Sequence, residues 1–137
     1  MEMAALPTFL SPFNWRVIAH LSNAYEVQDV DILDVRFRTP PPASEAMWRR
    51  SLRSSNVWTY AVDVAARTPT AQIFLGFARF PAARAFLDPA GVATVRFTDM
   101  RFAGDVVFLN QQSRNAAAFT VTVRIGADGQ IQEDLTR

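Results

Sequence analysis

The tightest constraint on how this chain can fold is a change of hydrophobic period along it. Phe119, Val121, Val123 and Ile125 alternate with Thr120, Thr122 and Arg124, which is the period of a strand with one face buried. Trp15, Val17, Ala19 and Leu21 alternate with Arg16 and His20 in the same way, predicting a strand from Phe13 with its odd-numbered residues inward. Ser22-Asn23 supplies turn chemistry, and Tyr25 to Phe37 reads as the second strand of an antiparallel hairpin. The apolar phase of that second strand shifts near Asp29, which predicts a bulge or bend there.

Between these alternating ends the period changes. Pro40-Pro41-Pro42 closes the hairpin, since proline neither donates ladder bonds nor sits in a helix interior. Ser44 reads as the cap of a helix over residues 44–54 that buries Met47, Trp48, Ser51 and Leu52. A second short helix starts from Asn56, with Trp58, Ala61, Val62 and Ala65 at helical spacing. Thr68-Pro69 opens a third, carried on by Ile73, Phe74, Phe77 and Phe80 until Pro81. Asp88 to Gly91 is a turn before a strand over Val92 to Phe102, and Asp128-Gly129 leads into a closing strand, Gln130 to Leu135. The order predicts an α+β fold: an antiparallel sheet of about four strands, with a block of two to three helices between the first and second hairpins. Residues 1–12, with Pro7 and Pro12, read as a lead-in or linker, and residues 13–137 as a single soluble domain.

Composition narrows the chemistry. The chain has 137 residues, half of them hydrophobic, enough to bury a core. Fourteen basic against thirteen acidic residues give a net charge of +1, which offers no electrostatic case for nucleic acid. Cysteine is absent and His20 is the single histidine, excluding thiol nucleophiles and multi-histidine metal sites, so no cofactor is expected in this chain. All the basic residues are arginine, so neither a Schiff-base nor a phosphate-loop lysine exists. No uncharged apolar run of ~18 residues is present, and the first residues lack the cationic start of a signal peptide.

Four sets of residues invite a functional reading. Asp99 and Arg101 lie two apart on a strand, with Arg79 before a helix break. They suit either a salt-bridged brace between helix and sheet or an anion pocket. His20 and Arg16 share a strand face, and the single histidine there reads as a surface or structural residue, or else as a general base. Asp29, Asp31 and Asp34 could ligate a hard cation, but they lack the glycine and terminal glutamate of a calcium loop and read as a solvated bend. Trp48, Arg49, Arg50 and Arg53 read as a solvated helix face, or as a surface resting on anionic lipid headgroups.

Three stretches carry a family resemblance. Pro7-Thr8-Phe9-Leu10-Ser11-Pro12-Phe13-Asn14-Trp15-Arg16-Val17, Gly76-Phe77-Ala78-Arg79-Phe80-Pro81 and Thr98-Asp99-Met100-Arg101-Phe102 together resemble the C-terminal region of bacterial membrane-bound metal-dependent hydrolases. In that family several transmembrane helices precede a soluble domain, and the hydrolase label rests on histidines and aspartates of the membrane half. The resemblance implies that this chain is the soluble domain without those ligands, a non-catalytic accessory domain. Its expected partner is the membrane half of the same parent, in the bacterial inner membrane, with Met1 not the native start or a membrane half lying upstream. The alternative is an autonomous ligand-binding or enzymatic α+β domain that uses Asp99, Arg101 and Arg79.

Overall fold

The computed structural model describes residues 1–8, 11–33, 52–103 and 119–136. It divides into two compact units, Met1–Ser54 and Ser55–Arg137. Strand content dominates, in two four-stranded sheets where the sequence predicted one.

The first sheet runs in the order β1 (Glu2–Thr8), β2 (Ser11–His20), β3 (Ala24–Asp31) and β4 (Leu52–Ser55). The predicted lead-in is therefore a strand, paired antiparallel with β2 from Glu2 opposite His20 to Thr8 opposite Ser11. The hairpin of β2 and β3 closes where the Leu21 amide donates to the Ala24 carbonyl at 2.8 Å. Its buried face is the opposite of the predicted one. Ile18 and Arg16 are buried, while Trp15, Val17 and Ala19 are only half-buried. The cross-strand partners explain the reversal: Ile18 faces Val27, and Arg16 faces Asp29, whose carboxylate satisfies the buried guanidinium. Pairing stays in register from Asn14–Asp31 to His20–Tyr25, so no bulge forms at Asp29. The chain bends after Asp31 instead, whose Oδ1 accepts from the Leu33 amide at 2.8 Å.

The second unit places two short helices before a β-meander. Tyr60–Ala66 (α1) and Pro69–Phe77 (α2) precede β5 (Pro81–Leu87), β6 (Ala93–Asp99), β7 (Thr120–Ile125) and β8 (Ile131–Thr136), paired antiparallel in that order. Val62, Ala65, Ala71 and Phe74 of the helices meet Ala83, Val95, Phe97, Val121 and Val123 of the sheet in the buried core. Period-two alternation turns Arg84, Arg96 and Arg124 to the other face.

Several predicted elements differ here. The end of the predicted helix 44–54 is strand β4, with Leu52 exposed; residues 44–51 lie outside the described residues. The predicted helix block thus contributes two described helices, α1 and α2. Asn56 caps no helix; its Oδ1 accepts from the Ala83 amide at 3.1 Å, and Thr59 caps α1 instead. Helix α2 starts at Pro69 as expected, but stops at Phe77, before Phe80 and Pro81. The alanine-rich segment that follows is strand β5, which its composition did not suggest, because helix-favouring alanines yield to pairing with β6. The turns at Asp88–Gly91 and Gly126–Gln130 hold Gly91 at φ 81° and Gly129 at φ 79°, conformations that suit glycine.

Candidate functional site

The densest polar cluster lies where α2 ends and β6 ends. Asp99, the last residue of β6, is fully buried. Its Oδ1 accepts from the Arg101 amide at 3.0 Å. Its Oδ2 accepts from Arg101 Nε at 2.9 Å, Arg101 Nη2 at 2.6 Å and the Arg79 amide at 3.2 Å. A carboxylate offers about four acceptor sites, and this one receives four hydrogen bonds, three of them on Oδ2. Arg101 Nη2 also donates to the Phe77 carbonyl at 3.3 Å, placing a cation at the C-terminal end of α2, where the helix dipole favours it. The Arg101 guanidinium lies 5.1 Å from the Phe77 ring centre and 5.2 Å from that of Phe102. Phe119 lies tilted against both rings, with centres 4.7 Å from Phe102 and 6.2 Å from Phe77.

Of the three residues the sequence grouped, Asp99 and Arg101 form an ion pair. Arg79 meets Asp99 through its backbone amide only, while its guanidinium lies over Phe80 at 5.6 Å. A general base needs a lone pair open to substrate, and the Asp99 carboxylate is fully buried. The arrangement ties the end of α2 to the end of β6, further fixed by the Met100 amide donating to the Phe80 carbonyl at 2.9 Å.

A second carboxylate went unread in the sequence. Glu133 of β8 reaches the N-terminus of α2, where its Oε2 accepts from the Thr70 amide at 3.2 Å and from the Thr70 hydroxyl. It does the capping that Thr68 does not, because the Thr68 hydroxyl donates to the Ala65 carbonyl at 2.8 Å. That single hydroxyl proton serves one acceptor at a time, and with it on Ala65 the Glu133 Oε1 has no hydrogen bond. The Thr68 hydroxyl beside the carboxylate, then the Thr70 hydroxyl and amide, hold the Glu133 carboxyl below its ordinary pKa against the opposing effect of burial. The only local signal was a helix start with two threonines around Pro69 and no acid in its first turn; a partner 63 residues away in sequence leaves no local trace.

In the first unit Arg16, 4% exposed, pairs with Asp29 in a bidentate fork, Nε to Oδ1 at 2.7 Å and Nη2 to Oδ2 at 2.9 Å. His20 stacks on Tyr25 with ring centres 4.4 Å apart. Asp29 and Asp31 lie on β3, and Asp34 is outside the described residues. Of the arginine-tryptophan group, Trp48, Arg49 and Arg50 are outside the described residues, and Arg53 lies on β4, 3.8 Å from Glu26 Oε1. Among the described residues no group of three or more histidines, aspartates or glutamates is placed to hold a metal ion, and no helix is long and apolar enough to cross a membrane. Set against known proteins, the chain matches no family model, no curated protein and no solved structure.

Proposed function

We propose that this chain is a non-catalytic accessory domain of a larger membrane-bound protein resembling metal-dependent hydrolases, and that its partner is the membrane half of the same parent. The observation that carries this reading is the use made of the resembling segments. Phe77 and Arg79 come from one of them, Asp99, Arg101 and Phe102 from another, and they meet in a single brace around the buried Asp99 carboxylate. Residues engaged in this way specify packing rather than turnover. Arg16, within the third segment, is likewise committed to Asp29. An enzyme built on Asp99, Arg101 and Arg79 would need at least one of these groups directed at a substrate, whereas the Asp99 and Arg101 side chains are paired with each other and the Arg79 guanidinium lies over Phe80.

Blotting fractionated cells of the source organism with an antibody against this domain tests the reading. A band well above the 15.3 kDa of the chain, confined to inner-membrane fractions, is the expected result. A single band at the chain's own mass in the soluble fraction overturns it.

A further inference from the structure

Strand β5 forms one edge of the second sheet, and its outward groups are treated unequally along its length. The Met100 amide bonds to Phe80, and the Asp88 amide to Val92; the even-numbered residues between therefore point their backbone groups at β6, and the odd-numbered ones point away. At the start of the strand the outward positions are blunted. Pro81 has no amide hydrogen, and the Ala83 amide is taken by Asn56 Oδ1. Ala85 and Leu87 keep outward amides and carbonyls with no such cover among the described residues. A cleft of about 200 Å³ runs beside this stretch, lined by Ser55, Val57, Thr59 and Ala83 to Phe86. Phe86, 55% exposed, and Leu87, 75% exposed, supply apolar surface next to it.

Charge selects what can add there. The register sets Arg84 directly opposite Arg96 on the outer face, with Arg124 of the next strand diagonal to Arg96, and all three are exposed. Like charges directly opposite destabilise a sheet. A carboxylate on an added strand, paired beside Arg84, offsets that repulsion. A second copy pairing through its own β5 would bring more arginine to the same place, so a self-pair is disfavoured.

The geometry points to the Ala85–Leu87 edge as a strand-addition site for an extended, acidic segment of a partner protein. The segment's carboxylate lies beside Arg84, a small side chain beside Ala85 enters the cleft, and an apolar residue packs on Phe86. This inference is independent of the membrane-protein reading and stands or falls without it.

The probe is a blocked eight-residue peptide of alternating valine and threonine with one central aspartate, added to the full chain. Binding is expected to slow amide exchange at Ala85 and Leu87. Ala85→Pro, which removes an outward amide and no ladder bond, is expected to weaken binding by about tenfold. Arg84→Glu, a change at an exposed position, is expected to weaken it roughly fivefold and to reverse the preference in favour of a peptide carrying arginine at the same position. No binding at about 1 mM peptide, equal binding by the Ala85→Pro chain, or a wild-type preference for the arginine peptide overturns the proposal. So does protection of Ala85 and Leu87 without peptide accompanied by a doubling of mass, which would make the occupant a second copy.

Discussion

Arg16 and Asp99 show what burial demands of a charged group. Neither tolerates an apolar surrounding alone, and each has the partner that makes burial sustainable: Asp29 for Arg16, and Arg101 with two backbone amides for Asp99. Removing Asp99 leaves the Arg79 and Arg101 amides and a largely buried guanidinium without the carboxylate they share. Asp99→Ala is therefore expected to destabilise the second unit by about 3 kcal/mol, read as a shift of the urea midpoint at unchanged slope. Asp99→Asn should cost less, since its amide oxygen still accepts from the Arg79 or Arg101 amide. A midpoint unmoved by Asp99→Ala would show that the brace contributes nothing. Asp99, Arg101 and Arg79 could be read from the sequence as a brace or a pocket. The donor set of the carboxylate could not, because half of its donors are backbone amides whose direction depends on how the chain turns after Phe77 and Asp99.

At the level of elements, α1 and α2 are each preceded by a threonine and are capped differently. Thr59 accepts from the Val62 amide at 3.4 Å, a long bond, so Thr59→Ala should cost about 0.5 kcal/mol, at the lower end for a cap. Helix α2 depends on Glu133 from β8. The folded pKa of Glu133 is depressed, so its contribution is full above the ordinary carboxylate pKa and is lost as pH falls through the folded value. Thermal unfolding of Glu133→Gln and the native chain should differ most near neutral pH and converge in acid. A gap that stays constant with pH would mean the charge is not what Glu133 supplies. The helix start at Pro69 was legible because proline pre-sets the first helical dihedral whatever surrounds it. Strand β5 was not, since Ala82 to Ala85 carry helix propensity that only pairing with β6 overrides.

Across the whole molecule the chain builds a sheet in each of two units, with Ile18 buried in the first and Phe97 at the centre of the second core. Phe97→Ala should cost about 3–5 kcal/mol and Phe86→Ala, on the open edge, within about 0.5 kcal/mol; denaturant titration of both variants checks the contrast. Comparable losses at the two positions would contradict the assignment of the core. The sequence by itself determined the β-hairpin of β2 and β3, the start of α2, the glycine turns and strands β6 to β8, because each is set by local period or by the dihedral preferences of proline and glycine. It also determined that no thiol, lysine or multi-histidine chemistry is open to this chain. Only the tertiary structure decided that the lead-in is a strand, which face of β2 is buried, and that there are two sheets. It alone decided that Glu133 caps a distant helix. Each of these depends on a partner far along the chain, and alternation fixes which residues share a face but not which face meets the core until that partner arrives.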